Sequence, residues 1–217
     1  MPQKSALLIG ATGLTGGHLL NLLLESDDYH TVYTYTRRSL GIQNPKLKEM
    51  IIDFESYSGT VEADIVFCCL GTTIKVAKTK EAFKKVDQEY PVKFAQLQFN
   101  SGSKRFLVIS AMGAAADSWF FYSRVKAEME KLLGNIGYPK LLIFRPALIT
   151  GDRKEHRSGE KIATKLNEIL NYVLVGPLKK YQSVSAKAIA NCMLSYSNNQ
   201  TVFGKVVISS DRIKDFE

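Results

Sequence analysis

A tyrosine and a lysine four positions apart, Tyr122 and Lys126, have the types and spacing needed to move a proton. Residues at i and i+4 lie on one face of a helix. A tyrosine with its ordinary pKa of about 10 donates a proton poorly at neutral pH, but a neighbouring ammonium stabilises the tyrosinate and lowers that pKa. The pair could therefore protonate a carbonyl oxygen during its reduction, and Lys126 could also hold the hydroxyls of a ribose.

Spacing alone does not establish this chemistry. With 10 tyrosines and 21 lysines among 217 residues, chance gives about one such pair. The position of the pair favours function, because it opens the predicted helix that follows the fifth predicted strand, beside the edge of the sheet where a nicotinamide would lie. An amphipathic helix with a lysine that extends its ammonium to water is the alternative.

Three other polar residues could take part. Ser110 ends the fifth predicted strand and could polarise a substrate carbonyl, or it could end the strand and cap a turn. Arg157 could meet an acidic substrate or a cofactor phosphate, although a lone cation in a charged loop is the simpler interpretation. Arg145, at the end of the sixth predicted strand, is expected to be a structural anchor.

A glycine-rich turn follows the first apolar run of the chain, Ser5–Ile9, which predicts a buried strand. The turn carries Gly10, Gly13 and Gly16, and a leucine-rich helix follows. In a dinucleotide-binding unit, Gly10 would permit the tight turn, Gly13 the approach of a pyrophosphate, and Gly16 close helix packing. The backbone amides at the helix start would face the phosphates. An ordinary glycine-rich turn is the alternative.

Two arginines, Arg37 and Arg38, follow the second predicted strand, Thr31–Thr36. At this point an NAD-binding unit has an acidic residue, about 20 positions past the glycines, that holds the adenosine ribose. A guanidinium can instead bind a 2′-phosphate through paired charge-assisted hydrogen bonds. The sequence therefore predicts NADP(H) in preference to NAD(H), unless both arginines simply lie in solvent.

Two further segments could contact the same cofactor. Asp53 precedes Phe54 at the exit of the third predicted strand, and its carboxylate could accept from the adenine amino group or from amides of its own loop. The fourth predicted strand, Asp64–Leu70, ends at Gly71 and Thr72. A glycine at this edge of a parallel sheet lets a ligand approach the backbone closely.

Strands and helices alternate along the whole chain. The later predicted strands are Lys104–Ser110, Lys140–Arg145 and Gly204–Ile208, and the later predicted helices are Thr79–Asn100 with a kink or break at Pro91, Trp119–Leu133, Glu160–Val175 and Ser185–Ser197. This alternation predicts an α/β fold: a single Rossmann-type domain over residues 1–217, with a doubly wound parallel sheet and helices on both faces. The C-terminal loops would form the substrate side.

Composition and charge limit the classes of binding partner that the sequence predicts. The net charge is +8, but the cations are spread along the chain and no nucleic-acid-binding signature is present, so a polyanionic cofactor is the simpler explanation. No apolar run approaches the length of a membrane span, and no cleavable signal is recognised, so we expect a cytoplasmic protein without membrane association. Cys68 and Cys69 are expected to be small buried residues, and the histidines have no metal-binding spacing.

Several segments together resemble the short-chain dehydrogenase/reductase superfamily, and specifically the atypical group of the HIV Tat-interacting oxidoreductase-like protein and its bacterial relatives. The matching segments are Gly10–Gly16, Arg37–Arg38, Phe67–Thr73, Tyr122–Lys126, Phe144–Arg153 and Arg157–Glu160. The resemblance extends over nearly the whole chain.

The resemblance implies a cofactor, NADPH, and a set of residues that hold it. These are Gly10, Thr12, Gly13, Leu14, Thr15 and Gly16 at the phosphates, Arg37 and Arg38 at the 2′-phosphate, Leu70 and Gly71 at the ribose, Lys126 on the ribose hydroxyls, the backbone near Ile149 at the carboxamide, and Arg157 near the cofactor. Tyr122 would be the proton donor and acceptor.

The sequence also departs from the pattern of this group. Ser110 is followed by Ala111 where the group tends to have two serines, and the asparagine motif of the classical enzymes is absent after the fourth strand. We therefore expect an NADPH-dependent oxidoreductase that reduces a small carbonyl substrate. A weakly catalytic NADPH-binding protein that regulates a protein partner is the alternative.

Overall fold

The computed structural model describes residues 3–151 and 181–217, which contain a parallel sheet of seven strands. Its strands, in chain order, are β1 (Lys4–Ile9), β2 (Tyr29–Thr36), β3 (Leu47–Ile51), β4 (Ile65–Cys68), β5 (Arg105–Ile109), β6 (Lys140–Arg145) and β9 (Gly204–Ser209). The spatial order is β3-β2-β1-β4-β5-β6-β9, so the direction of winding reverses between β1 and β4. Two short strands, β7 (Ile149–Thr150) and β8 (Val184–Ser185), pair separately.

Helices cover both faces of this sheet. They are α1 (Leu14–Glu25), α2 (Ile74–Ala77), α3 (Lys80–Lys84), α4 (Tyr90–Asn100), α5 (Phe121–Ile136), α6 (Ala186–Asn198) and α7 (Ser210–Lys214). Adjacent residues of β1 point to opposite faces: Leu8 packs with α1 and α6, whereas Leu7 packs with α4 and α5. The predicted α/β class with a doubly wound parallel sheet is confirmed.

The helix predicted over Thr79–Asn100 is interrupted, as expected from Pro91, but the interruption lies before the proline. The chain passes from α3 through a π-helical turn, Lys85–Glu89, into α4. Pro91 follows immediately; it has no N–H for the carbonyl of Asp87, and its ring clashes with that carbonyl in a regular α-helix. The irregularity predicted from Pro91 therefore occupies the turn before the proline.

The C-terminal elements follow the sequence pattern closely. The Ser185 hydroxyl accepts from the Ala188 amide at 3.0 Å and caps α6, and the predicted last strand pairs in parallel with β6. The sequence did not predict α7 or the β7–β8 pair. The predicted helix Glu160–Val175 lies outside the described residues. Within the described ranges, no helix has both the length and the apolar character needed to cross a bilayer.

Three cations at the amino ends of the sheet strands converge on the carboxyl end of α6. Lys4 donates to Asn198 Oδ1 at 2.8 Å, Arg105 donates to the Ser197 carbonyl at 2.9 Å, and Lys140 donates to the Asn199 carbonyl. Cations stabilise this end of a helix because its unpaired carbonyls carry partial negative charge. Lys140 is buried, and its burial beside the other two cations lowers its pKa to about 8.

The lowered pKa of Lys140 predicts a specific pH dependence of stability. Between pH 8 and the ordinary lysine value of about 10.4, the unfolded chain binds more protons than the folded one, so stability rises with pH. The free energy of unfolding should increase from pH 7 to pH 9.5 in the wild type. This increase should be about 1–2 kcal/mol larger in the wild type than in Lys140→Met. Urea unfolding at both pH values measures this difference, and parallel pH dependence of the two proteins would contradict it.

Candidate functional site

The turn between β1 and α1 is built by contact between two of its glycines. Gly10 has φ +92°, a conformation that side chains rarely adopt, and a Cβ on Gly16 would lie 2.1 Å from the Gly10 carbonyl oxygen. The Gly13 amide donates to the same oxygen at 3.0 Å. The spacing of Gly16 predicts close packing of the helix on the sheet. In the structure, the close contact of Gly16 is with the backbone of Gly10 in the turn.

The amino end of α1 lacks the groups that usually satisfy its amides. No side chain caps the helix at Gly13, and the first turn contains no acidic residue. The first amides of a helix have no intrahelical acceptors and lie at the positive end of its dipole. Leu14, Thr15 and Gly16, all predicted phosphate contacts, supply these amides.

A cleft of about 320 Å³ opens at the carboxyl ends of β1, β2 and β4, beside the point where the winding of the sheet reverses. Ligands of open α/β sheets bind at this position. The lining residues are Gly10, Thr12, Tyr35, Thr36, Arg37, Arg38, Phe54 and Leu70. Six of these were predicted to bind cofactor, whereas Tyr35 and Thr36 were missed because they belong to the end of β2 itself.

Arg37 and Arg38 are exposed at the rim of this cleft, and within the described residues no carboxylate forms an ion pair with either of them. Glu49 of β3 is engaged elsewhere: it accepts from the Leu40 amide at 2.6 Å and from the Ser39 hydroxyl at 2.9 Å. The two guanidinium groups are therefore available to an anion at the cleft.

Asp53 and Phe54, although adjacent in the chain, lie in different surroundings. Phe54 is buried and lines the cleft, whereas Asp53 is exposed. The Asp53 carboxylate accepts from the Glu55 amide at 3.0 Å and the Ser56 hydroxyl at 3.1 Å, and these bonds hold its pKa below the ordinary value. These hydrogen bonds correspond to one of the two alternatives for Asp53, in which its carboxylate accepts from groups of its own loop.

Tyr122 and Lys126 lie on one face of α5, as their spacing predicts. Lys126 is 2% exposed, whereas Tyr122 is 37% exposed, with its ring 5.6 Å from that of Phe83. Burial raises the pKa of Tyr122, and the negative charge of Asp87 raises it further, whereas the Lys126 ammonium acts to lower it. The pKa is raised overall, opposite to the lowering expected from Lys126 alone, so the protein by itself keeps Tyr122 protonated.

Asp87 is a further residue of the site that sequence reasoning missed. Its Oδ1 lies 2.7 Å from Lys126 Nζ, and its Oδ2 accepts from the Thr72 amide at 2.8 Å. In the sequence, Asp87 resembles one more charge in a polar helical stretch. The π-helical turn brings it inward to 1% exposure, and the only local signal for this turn is Pro91.

Ser110 lies at the end of β5 but is 3% exposed, and its hydroxyl donates to Glu130 Oε1 at 2.5 Å. Glu130 follows Lys126 by one turn on the same face of α5. Arg145 binds both oxygens of Glu130, at 2.9 and 2.6 Å, and so acts as the structural anchor expected from the sequence. The Ser110 hydroxyl thus donates its proton to a buried carboxylate.

The remaining predicted contacts lie around the same edge of the sheet. Gly71 follows β4 and is exposed, Thr72 is held through its amide by Asp87, and Ile149 begins β7. Arg157 lies outside the described residues. The chain from Leu70 in the cleft to Thr72 connects the cleft directly to Asp87 and Lys126.

Comparison with curated proteins identifies the relatives of the chain. Protein HTATIP2 of Rattus norvegicus is 35% identical over 172 residues, which cover 76% of this chain and 71% of the relative. The chain belongs to the HTATIP2 group of atypical short-chain dehydrogenases/reductases. Protein FMP52 of Candida albicans, named as mitochondrial, is 29% identical over 214 residues, covering 94% of this chain and 93% of the relative. No family model matches.

Solved structures share the fold of this HTATIP2-group protein at low identity. WbmH of Bordetella bronchiseptica in complex with NAD+ has a TM-score of 0.71 at 16% identity, covering 96% of this chain and 76% of that one. The UDP-glucose 4-epimerase of Thermotoga maritima with UDP-glucose has a TM-score of 0.70 at 17% identity, covering 98% and 80%. These likenesses establish the Rossmann-type architecture.

The expectation of a cytoplasmic protein is wrong on this comparison. Fungal relatives that align with most of the chain, including FMP52 of Meyerozyma guilliermondii and of Candida albicans, are named as mitochondrial proteins. The expectation rested on the absence of a recognisable signal in the sequence, and such an absence does not identify a compartment.

The contact between Gly16 and Gly10 predicts a strong difference between neighbouring glycines. Gly16→Ala should destabilise the fold by at least about 2 kcal/mol, because its Cβ would overlap backbone that cannot move freely. Gly17→Ala is the matched control: its Cβ would lie 3.6 Å from the Ala11 carbonyl, an ordinary contact, and alanine favours the helix by up to about 1 kcal/mol. Urea unfolding of both variants measures the difference; similar stabilities would contradict the tight packing.

Proposed function

We propose that this protein is an NADPH-dependent oxidoreductase that transfers a hydride to a small carbonyl substrate. The observation that carries the proposal is the connection between the cleft and α5. Leu70 lines the cleft, Thr72 follows it by two residues, and Asp87 joins the Thr72 amide to Lys126. The proton-donor pair thus adjoins the edge where a dinucleotide would end.

The residues present fit a nicotinamide dinucleotide. The uncapped amides of α1 suit a pyrophosphate, and the close backbone contacts at Gly10 and Gly16 leave no room for a side chain on either residue of the turn. WbmH, a solved structure with the same fold, is described with NAD+. That complex supports the class of cofactor, whereas the preference for NADPH rests on Arg37 and Arg38.

The two arginines support NADPH over NADH for an electrostatic reason. A 2′-phosphate adds negative charge and acceptor oxygens at the adenosine end of the cofactor, and planar guanidinium groups bind such oxygens in pairs. Both arginines line the cleft, and the nearby carboxylate of Glu49 is already hydrogen-bonded to Ser39 and Leu40. No described carboxylate occupies the place where an NAD-binding unit holds the ribose.

The chemistry divides between cofactor and protein. Bound NADPH would supply the hydride. Tyr122 would donate the proton to the carbonyl oxygen, and its raised pKa keeps the phenol protonated at neutral pH. Of the three N–H groups of Lys126, one points to Asp87 within the described residues, so two remain to donate to ribose hydroxyls.

A second candidate function is a cofactor-binding regulatory protein that controls a protein partner. The observation that favours it is the hydrogen bond from Ser110 to Glu130, because a hydroxyl that donates its proton to this carboxylate does not donate it to a substrate carbonyl. Exposed aromatic side chains precede Tyr122, with Trp119 97% and Phe120 75% exposed, and these suit contact with another molecule.

Removal of the arginines should abolish the preference for NADPH. At one fixed salt concentration, the wild type should bind NADPH at least about tenfold more tightly than NADH, equivalent to about 1.4 kcal/mol. Arg37→Ala or Arg38→Ala should lose most of that difference while NADH affinity changes little, whereas Arg212→Ala on α7 should retain it. Fluorescence titration with each nucleotide measures this. Equal affinity of the wild type for both nucleotides would contradict the assignment.

Tyr122→Phe separates the two candidate functions. If Tyr122 donates the proton, the variant should lose at least about 100-fold in NADPH turnover with a panel of small aldehydes and ketones, while its NADPH affinity stays within about twofold. Tyr196→Phe on α6 is the matched control. If turnover of the wild type is absent from the whole panel although NADPH binds, the regulatory function is favoured and the reductase proposal fails.

A further inference from the structure

Asp87 joins two parts of the site that the sequence does not connect. We propose that Asp87 is a positioning residue that keeps Lys126 charged and holds it, together with the Gly71–Thr72 turn, at the ribose end of the cofactor cleft. The proposal rests on the function proposed above, because it assigns the ribose to Lys126. Asp87 itself touches neither cofactor nor substrate in this account.

The first step of the argument is the burial of both charges. The side chain of Lys126 is 3% exposed and that of Asp87 is 1% exposed. A buried ammonium without a counter-ion shifts its pKa downward and becomes neutral. Lys126 instead has a raised pKa although burial acts to lower it, and the Asp87 carboxylate is the largest opposing cause.

The second step is the set of groups that face Lys126. Besides Asp87 from the π-helical turn, these are Tyr122 on its own helix and Cys68 of β4. Burial raises the pKa of the Cys68 thiol to about 12 and raises the pKa of Tyr122, so both are neutral near pH 7. Of these three groups, Asp87 is the carboxylate, and its Oδ1 forms the ion pair with the ammonium at 2.7 Å.

The third step is the use of both carboxylate oxygens. Oδ1 contacts Lys126 Nζ at 2.7 Å, and Oδ2 accepts from the Thr72 amide at 2.8 Å. A Cβ on Gly71 would lie 3.6 Å from Oδ1, so the carboxylate also lies against that residue. One side chain thus fixes the lysine and the turn that leads from the cleft.

The geometry depends on the π-helical turn. In that turn Asp87 and Gln88 are buried, whereas Lys85 and Glu89 are exposed. A π-helical turn adds a residue to the helix and changes the direction of the side chains that follow, and such turns often occur at functional sites. Pro91 prevents a regular α-helix in the turn that precedes it. The π-helical turn formed there instead directs the Asp87 carboxylate toward Lys126 of α5.

Asp87→Asn separates the charge of this residue from its hydrogen bond. The amide oxygen can still accept from Thr72, but the ammonium loses its counter-ion, so burial lowers the Lys126 pKa. A group with a lowered pKa loses its proton as pH rises. The variant should therefore bind NADPH at pH 7 and lose affinity at higher pH, when neutral Lys126 no longer donates as an ammonium.

The test measures Lys126 directly in the free protein. Protein labelled with [13Cε]lysine is titrated by NMR, with the Lys126 signal assigned through Lys126→Met. Lys126 of the wild type should remain protonated to about pH 10, whereas its midpoint in Asp87→Asn should fall to about pH 8 or below, because burial without a counter-ion lowers the pKa of a lysine by up to about 3–5 units. Glu89→Gln, an exposed carboxylate in the same turn, should leave it unchanged.

Two further readouts complete the test. NADPH affinity should fall about tenfold from pH 7 to pH 9 in Asp87→Asn, but by less than about twofold in the wild type and Glu89→Gln. Hydrogen exchange of the Thr72 amide should stay slow in Asp87→Asn and become fast in Asp87→Ala. An unchanged Lys126 midpoint in Asp87→Asn, or a wild-type midpoint far below pH 10, would overturn the proposal.

The failure of this proposal can be told apart from failure of the proposed function. If no form of the protein binds NADPH, the oxidoreductase assignment fails, while the lysine titration still decides the role of Asp87. If Asp87→Asn does not fold, the double variant Asp87→Asn/Lys126→Met should fold again, because both charges are then absent. A double variant no more stable than Asp87→Asn would contradict the pairing.

Discussion

The buried ion pair of Asp87 and Lys126 is the interaction on which the site depends. Withdrawing an ammonium from water is costly, so Lys126 can lie at 2% exposure beside Tyr122 only because Asp87 balances its charge. Asp87 reaches that position because the helix before Pro91 widens into a π-helical turn. Pro91, which lies 31 residues before Tyr122 in the chain, thereby influences the electrostatics around the Tyr122–Lys126 pair.

The two ends of the parallel sheet make different contacts: the cleft lies at the carboxyl ends of the strands, and the contacts to the end of α6 lie at their amino ends. The carboxyl ends of the strands bring together the glycine turn, Arg37–Arg38 and the Gly71–Thr72 turn, each of which comes from a separate part of the chain. The amino ends bring lysine and arginine side chains to the last carbonyls of α6. Groups at the carboxyl ends thus remain available to a ligand, while the lysine and arginine side chains at the amino ends donate hydrogen bonds to a helix terminus.

Local patterns in the sequence predict the local features of this protein. The strand–turn–helix of Gly10–Gly16, the arginines after β2 and the Ser185 cap depend on residues close together in the chain, and the structure places them as expected. The partners of Lys126 and Ser110 depend on contacts across the fold: Asp87 lies 39 residues from Lys126, and Glu130 lies 20 residues from Ser110. Neither contact has a sequence signal, since an isolated carboxylate in a charged helix usually faces water.

A crystal structure with bound NADP+ tests the central claim most directly. The account predicts that Lys126 Nζ lies within about 3 Å of a hydroxyl of the nicotinamide ribose, with its contact to Asp87 kept and the 2′-phosphate between Arg37 and Arg38. A nicotinamide ribose placed away from Lys126, or a Lys126 that leaves Asp87 without touching the cofactor, would contradict it.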